Sequence, residues 1–168
     1  PTLYQARDLF LFSCYTGIPY GDMCRLSEDD LEIAEDGEVW IKTTRKKTKI
    51  DYELPLLDIP LRILDKYRGI APEGKLLPMY GNTTLNRALK RIASICGIEK
   101  RLVFHCGRHT YATEITLSQG VPLETVSKML GHTRIDTTQI YAKVTDDKIG
   151  ADTQNLDKKL AERFSIVL

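Results

Sequence analysis

The segment FHCGRHTYAT, residues 104–113, holds two histidines and an arginine within five consecutive positions of the chain. His105 and Arg108 are three residues apart, so on a helix their side chains share one face and can address one ligand. A histidine at a helix start is more often a cap or a structural hydrogen-bonding residue. The interpretation of this segment therefore depends on the remaining histidine, His132, and on its surroundings.

His132 lies in the segment MLGHTRIDTTQIYAKV, residues 129–144. A Leu-Gly pair typical of a helix end precedes it, and Tyr141 follows nine residues later. A tyrosine after isoleucine in a helix is more often a core residue than a functional one. Each signal is weak alone, but the order and spacing of the two segments together are more specific.

Apolar periodicity predicts a mainly α fold with a small three-stranded antiparallel sheet. The run YQARDLFLFSCYTG has helical spacing and ends at Gly17, and PYGDMCRL begins a short helix at Pro19. Between residues 31 and 56 three β-prone runs alternate with turn signals, which predicts the sheet. Further helices are predicted in PLRILDKYRG, TTLNRALKRIASICG, a segment opening at or near His105, PLETVSKML, RIDTTQIYAKV and DDKIGADTQNLDKKLAERF.

The charge of the chain is nearly balanced, with 24 Lys and Arg against 23 Asp and Glu. A nucleic-acid partner therefore does not follow from the total charge and requires a local basic surface. One such surface is the second hairpin of the predicted sheet, KTTRKKTK, which carries five basic residues. Taken alone it would more often be a solvated turn. The basic residues are Lys42, Arg45, Lys46, Lys47 and Lys49.

Length and composition predict one compact domain, since the chain has 168 residues with 42% hydrophobic and 28% charged residues. No apolar run is long enough for a membrane span, and no signal-peptide pattern opens the chain. The chain starts inside a predicted helix without Met, which predicts a domain excised from a longer protein. Scattered cysteines without a CxxC pair suit reduced, buried thiols in a cytoplasmic protein; they are Cys14, Cys24, Cys96 and Cys106.

Taken together, these motifs resemble those of tyrosine recombinases, the phage-integrase-type site-specific recombinases. The resemblance rests on HCGRHTYAT as the His-x-x-Arg box, LGHTRIDTTQIYA, the first box TGIPYGDMCRL, and KKTKIDYELPL for the hairpin lysine. It extends to about Val144 and is strongest toward integrases of conjugative transposons and related mobile elements. It implies a catalytic domain at residues 1–145 and a C-terminal helical tail at 146–168. It also leads us to expect that the N-terminal DNA-clamping domains usual in the family lie outside this sequence.

Members of this family cut DNA by attack of a tyrosine oxygen on a backbone phosphorus, which forms a 3′-phosphotyrosyl link and frees a 5′-hydroxyl. No metal or cofactor takes part. A phenol with a pKa of about 10 needs a base, and a guanidinium fork can hold two phosphate oxygens. The resemblance assigns the nucleophile to Tyr141, the general base to His105, phosphate contacts to Arg108 and His132, and the general acid to Lys47, eight residues before Pro55.

One position departs from the family pattern. Most members carry TG-x-Arg in the first box, where the arginine forms the second half of the phosphate clamp, but this chain has Pro19. Losing such a donor costs about 10²- to 10³-fold in rate, so a substitute is expected. Our hypothesis is that Arg45 replaces it, with Arg25 as a weaker candidate. Asp22 matches an acidic residue that orients the site, and His109 matches a bracing residue.

The resemblance implies double-stranded DNA as the partner, a synaptic tetramer on DNA, accessory DNA-bending proteins, and no membrane. The tail carries an apolar stripe that could dock on a neighbouring subunit or pack within its own chain, formed by Leu156, Leu160 and Phe164. One alternative is a catalytically degenerate, DNA-binding relative that acts as a regulator, which Pro19 favours and the other motif residues oppose. A helical interaction domain with chance motifs is a more remote alternative. The target DNA sequence and the choice between integration and excision do not follow from the motifs.

Overall fold

The structure is a computed structural model that describes residues 1–142 and 146–163, with side chains described for 1–142 and 149–163. Helix α1 covers Leu3–Thr16 and is set at both ends by local sequence. Thr2 and Gln5 form a reciprocal capping box, and Gly17 ends the helix with a φ of 68°. The short helix α2, Tyr20–Met23, follows with Pro19 as its N-cap residue. Both predicted helices are confirmed.

The predicted sheet is also confirmed as three antiparallel strands in the order β1, β2, β3. Strand β1 covers Leu31–Ile33, β2 covers Val39–Thr44 and β3 covers Asp51–Pro55. Side chains alternate along β3, so that Tyr52 and Leu54 are buried while their neighbours Asp51 and Glu53 are exposed. Tyr52 lies opposite Thr43 of β2. The β2–β3 hairpin carries the basic run.

The remaining regular elements of the described chain are helices, so the mainly α fold class with one small sheet is confirmed. A π-helical segment, Tyr111–Thr116, and a 3₁₀ turn, Leu117–Gln119, connect two of the helices. The remaining helices are α3 Asp58–Tyr67, α4 Asn82–Ile95, α5 Cys106–Thr110, α6 Leu123–Met129, α7 Asp136–Gln139 and α8 Asp146–Arg163.

Helix α7 is shorter than the sequence predicted. The pattern in RIDTTQIYAKV predicted a helix through Tyr141, but α7 ends at Gln139 and Tyr141 lies in a turn. The amide of Tyr141 donates to the carbonyl of Thr138 at 3.0 Å. This bond spans three residues, as in a 3₁₀ turn, and not four as in an α-helix. Threonine and isoleucine are weak helix formers, so local propensity does not sustain a longer helix here. The last two residues of the predicted segment, 143 and 144, lie outside the described residues.

Two hydrophobic clusters make up the core. The larger lies between α1, the sheet, α3 and α4, and includes Leu9, Phe12 and Leu54. The smaller holds Tyr111, Ala112, Val126 and Leu130, and Tyr141 packs against it. The C-terminal end of α1 and helix α5 lie beside both clusters, because α1 contacts α5 and the π-helical segment. We call this contact region between α1, α5 and the π-helical segment the seam, and it positions the candidate site.

The prediction that the four cysteines are buried has a mixed outcome. Cys14 is buried and Cys24 and Cys106 are half-buried, but the prediction of a buried thiol is wrong for Cys96. Cys96 caps the C-terminal end of α4, where the helix reaches the surface. Within the described part of the chain, no helix has both the length and the apolar character needed to cross a bilayer.

Candidate active site

Arg108 is the central residue of the candidate site. Helix α5 packs closely on α1, because a Cβ at Gly107 would lie 2.8 Å from Oγ of Ser13. The Arg108 side chain is thereby drawn into the seam and is only 3% exposed. Its guanidinium donates to the carbonyls of Gly17 at 2.7 Å and Leu130 at 2.6 Å. Burial, aided by the charge of Arg45, lowers the pKa of Arg108 to about 10.

His132 lies directly beside Arg108. Nε2 of its ring is 2.9 Å from Nη2 of Arg108, and Nδ1 is 2.8 Å from the hydroxyl of Thr138. A guanidinium can only donate, so Nε2 accepts and the ring proton lies on Nδ1, which donates to Thr138. Burial, followed by the charges of Arg108 and Arg45, lowers the pKa of His132 to about 4. The ring is therefore neutral at pH 7.

His109 lies between the other two rings of the site. The ring centroids of His105 and His109 are 4.9 Å apart, and those of His109 and Tyr141 are 5.0 Å apart, with both pairs edge to face. His105 is the N-cap residue of α5, one turn before His109. Burial lowers the pKa of His105, and the charges of His109 and Arg108 lower it further. His109 thus contacts both neighbouring rings, and its supporting role stays a prediction.

Asp22 anchors the basic hairpin to α2. Its carboxylate is 2% exposed. One oxygen accepts from Nη1 of Arg45 at 2.9 Å, and the other accepts from the backbone amide of Lys46 at 3.0 Å and from Arg25 at 3.2 Å. Arg25 also donates to the carbonyl of Thr44 at 2.7 Å. Arg25 therefore holds the backbone of the hairpin, whereas Arg45 is turned inward.

Arg45 reaches the site by passing beside Gly131. A Cβ at Gly131 would lie 2.7 Å from Cγ of Arg45, and the φ of 62° at this position also requires glycine. The Arg45 side chain is only 12% exposed. Its stem lies beside Gly131, whose neighbours in the chain are His132 and Leu130, and the Leu130 carbonyl accepts from Arg108. The charge of Arg45 contributes to the lowered pKa values of Arg108, His105 and His132.

The other basic residues of the hairpin remain outside this cluster. Lys46, Lys47 and Lys49 are exposed at the turn. Within the described residues, the side chain of Lys47 has no hydrogen-bond or ion-pair partner. Lys42 lies on β2 between Glu32 at 2.8 Å and Glu53 at 3.7 Å, so its charge is largely balanced. The structure brings together Tyr141, His105, His109, Arg108, His132 and Arg45, and it leaves Lys47 on the turn.

Sequence reasoning missed two residues of this cluster. Thr138 is completely buried and fixes the His132 ring, and the only signal for it was its place in DTTQIY, six residues after His132. Tyr52 is buried beneath the hairpin, and the alternation in KIDYELPL places it on the inward face. Within residues 1–142 and 146–163, no group of three or more His, Cys, Asp or Glu could hold a metal ion.

Comparisons with known proteins identify the family. The model of the Phage integrase family matches residues 1–148, so the chain belongs to this family. It is 30% identical over 156 residues to a tyrosine recombinase of Pseudothermotoga lettingae, covering 88% of this chain and 53% of that protein. It is 34% identical over 144 residues to tyrosine recombinase XerD of Listeria monocytogenes, covering 77% of this chain and 47% of that protein. The chain thus spans about half the length of the curated relatives it matches.

Solved structures share the fold. A crystal structure of XerA recombinase has a TM-score of 0.65 at 21% identity, covering 98% of this chain and 64% of that chain. The Tn1549 transposon integrase in complex with circular intermediate DNA has a TM-score of 0.66 at 18% identity, covering 93% of this chain and 61% of that chain. The family resemblance predicted from the motifs is confirmed.

Proposed function

We propose that this chain is the catalytic domain of a site-specific DNA recombinase that breaks and rejoins DNA through a 3′-phosphotyrosyl intermediate. The observation that carries the proposal is the buried guanidinium of Arg108, which lies beside His132 and close to Arg45. Tyr141 and two histidines lie along the same seam. A buried cationic cluster next to a tyrosine and a neutral histidine suits nucleophilic attack on a phosphodiester.

In the proposed reaction the Tyr141 oxygen forms a bond to phosphorus while the bond from phosphorus to the 5′-oxygen breaks. His105 takes the phenolic proton, and its lowered pKa keeps the ring neutral and able to accept it. Lys47 gives a proton to the departing 5′-oxygen. The exposed hairpin turn must bring Lys47 to the DNA for this step. Rejoining runs the same steps in reverse on the partner strand, so neither water nor a cofactor is consumed.

Arg108 and Arg45 are the proposed phosphate clamp. Pro19 occupies the first-box position at which most members carry arginine, and its side chain has no donor. Arg45 approaches the same seam from the hairpin and is fixed there by Asp22, which supports the substitution. Two guanidinium groups in a water-poor site hold the charge that builds on phosphorus in the transition state.

The proposed partner is double-stranded DNA, held first by the exposed lysines of the hairpin, Lys46 and Lys49. Assembly into a synaptic tetramer is proposed to use the apolar stripe of α8. Leu156 and Leu160 of that stripe are 55% and 44% exposed, and Phe164 lies outside the described residues. Exposed leucines on one helix face favour docking on another copy over packing within the same chain. Integration or excision of a mobile element with accessory DNA-bending proteins is the proposed setting.

Covalent trapping tests the proposal. The chain is incubated at low salt with EDTA and 5′-labelled duplexes of randomised sequence. Each duplex is nicked in the labelled strand, so that after cleavage the short fragment with the released 5′-hydroxyl diffuses away and the labelled fragment stays on the protein. We expect a labelled protein–DNA adduct on a denaturing gel that is lost in Tyr141→Phe. Tyr4→Phe, which alters an exposed tyrosine on α1, is the matched control and retains the adduct. DNA binding without an adduct would instead support the degenerate, DNA-binding alternative.

A further inference from the structure

Three buried polar atoms of the β2–β3 hairpin have no hydrogen-bond partner. They are Nε of Arg45, Oγ1 of Thr48 and the hydroxyl of Tyr52, and they are the only buried unpartnered side-chain atoms among the described residues. Buried polar groups are nearly always satisfied, so each exception requires an explanation. All three lie within eight consecutive residues beside the candidate site. The concentration of unused donors on one hairpin points to a ligand.

Tyr52 is the best placed of the three after Arg45. Its side chain is 5% exposed and points inward from β3. A Cβ at Gly131 would lie 3.1 Å from Cδ1 of Tyr52 and 2.7 Å from Cγ of Arg45. The tyrosine ring and the stem of Arg45 therefore pack against the same glycine. The next residue along the chain is His132, which contacts Arg108.

The hydroxyl of Tyr52 is a protonated donor, and several arginines lie around it. Burial raises the pKa of Tyr52, as does the charge of Asp22, while Arg45, Arg108 and Arg25 oppose the shift. The phenol is therefore protonated at neutral pH. The Tyr52 hydroxyl and Nε of Arg45 both lack an acceptor among the described residues. An anion with several oxygens, such as a phosphodiester, is the complementary ligand.

We propose that the hydroxyl of Tyr52 donates a hydrogen bond to a nonbridging oxygen of the scissile DNA phosphate, beside the guanidinium groups of Arg45 and Arg108. This assignment rests on the proposed recombinase function and adds one catalytic residue to it. Tyr52 makes no covalent bond and transfers no proton. Its contribution is a fixed donor that needs no reorganisation when charge builds on the phosphate.

If Tyr52 has this role, Tyr52→Phe lowers activity without lowering the stability of the fold. Tyr52→Phe keeps the packed ring and removes a hydroxyl that has no partner in the protein, so the fold is not weakened. Tyr67→Phe is the matched control, because Tyr67 is 2% exposed and its hydroxyl donates to Asp8 at 3.0 Å, away from the site. Tyr67→Phe lowers the melting temperature, whereas Tyr52→Phe leaves it unchanged or raises it.

Inorganic phosphate tests the ligand without requiring DNA cleavage. At constant ionic strength, phosphate in place of chloride is expected to raise the melting temperature of the wild type and of Tyr67→Phe equally. The rise is expected to be at most half as large in Tyr52→Phe. An equal rise in Tyr52→Phe, or no rise in the wild type, overturns the assignment.

The rate of adduct formation tests the same residue in the reaction. A donor to a charged oxygen contributes about 10- to 100-fold, so Tyr52→Phe is expected to slow trapping by that factor while Tyr67→Phe keeps the wild-type rate. Equal rates in Tyr52→Phe and the wild type overturn the role of Tyr52 and leave the recombinase proposal standing. Absence of any adduct in the wild type contradicts the recombinase proposal itself, and the phosphate measurement then decides on Tyr52 alone.

Discussion

At the scale of single residues, Asp22 selects which arginine faces the site. Its two oxygens hold Nη1 of Arg45 and the amide of Lys46, so one buried carboxylate fixes both the side chain and the backbone of the hairpin. Arg25 shares the same carboxylate but remains 44% exposed. In the proposed phosphate clamp, the charge that Pro19 cannot provide is supplied by Arg45 from the hairpin, and Asp22 holds that side chain in place.

The Arg45 hypothesis predicts a large and specific loss of activity. Arg45→Ala removes one preorganised donor and is expected to slow adduct formation by about 10²- to 10³-fold. Arg25→Ala is expected to have a much smaller effect, since Arg25 donates to the backbone of Thr44 rather than into the site. Single-turnover trapping on nicked duplexes measures both rates. A wild-type rate in Arg45→Ala would contradict the hypothesis.

His132 has to change its hydrogen bonds before it can donate to a phosphate. Its Nε2 accepts from Arg108, and its proton lies on Nδ1 toward Thr138. The Thr138 hydroxyl can donate as well as accept, so it can support the other tautomer without moving. A phosphate that takes up the Arg108 donors therefore frees Nε2, and Thr138 allows the proton to shift to it.

The histidines also predict how stability depends on pH. The pKa of His132 is about 4 in the fold, against an ordinary value of 6.5, and that of His105 is lowered too. As pH falls below 6.5 the unfolded chain takes up protons before the folded chain does, so stability is lost progressively toward pH 4 and is constant above about pH 7. Urea unfolding from pH 8 to pH 4.5 measures this slope.

His132→Gln is the matching variant for this measurement, because it cannot take up the proton. It is expected to flatten the loss of stability between pH 6.5 and pH 4 relative to the wild type. An unchanged slope in His132→Gln would show that His132 does not titrate as its surroundings in the fold require.

At the scale of elements, the sequence predicted the hairpin but not the contacts of its side chains. Alternation predicted the strands, and the family pattern placed Lys47 on the turn. The pairing of Lys42 with Glu53 follows from the register of β2 against β3, and that with Glu32 needs β1 as well. The inward path of Arg45 depends on a glycine distant in sequence, Gly131. Such contacts arise from tertiary packing, which local periodicity does not contain.

A substitution in the apolar stripe of helix α8 is expected to impair assembly on DNA without affecting cleavage. A groove of about 1020 Å³ lies between this helix and the body of the protein, with Leu156 on one side and Ile140 on the other. Leu160→Glu places a charge in the apolar stripe, where burying a leucine contributes about 1.5–3 kcal/mol. We expect fewer multi-subunit complexes on DNA in native gels and an unchanged adduct rate. Lys158→Ala, also exposed on α8, is the control, and equal complexes in both variants would contradict trans docking.

At the scale of the whole molecule, a net charge of +1 means that affinity for DNA has to come from local surfaces. Lys46→Gln combined with Lys49→Gln removes two exposed charges from the hairpin. Each phosphate contact contributes about 0.9 to the slope of log affinity against log salt, so we expect the slope to fall by about 2. Anisotropy of a labelled duplex across a salt series measures it.

Lys42→Gln is the control for the salt series, because Glu32 and Glu53 already balance the charge of Lys42. Lys42→Gln is expected to change the salt slope by less than the combined Lys46→Gln and Lys49→Gln variant does. A slope that falls as much in Lys42→Gln as in the variants of the turn would place the DNA along the face of the sheet.

The family and the general fold could be predicted from motif order, because the boxes are local and their spacing is specific. The candidate residues on α5 and after α6 were predicted in the same way. The completely buried Thr138 and the unpartnered Tyr52 could not be, since burial and hydrogen-bond satisfaction are properties of the packed chain. The ring order of His105, His109 and Tyr141 likewise depends on how α5 packs against the turn that follows α7.

The anchoring of the hairpin by Asp22 sets a rule for building chimaeric recombinases from this chain. The first box provides the carboxylate and the hairpin provides the arginine, so neither segment is complete without the other. A grafted hairpin without an arginine at this position would leave Asp22 without this partner and the proposed phosphate clamp one cation short. The two segments are therefore an exchangeable unit, and they have to be transplanted together.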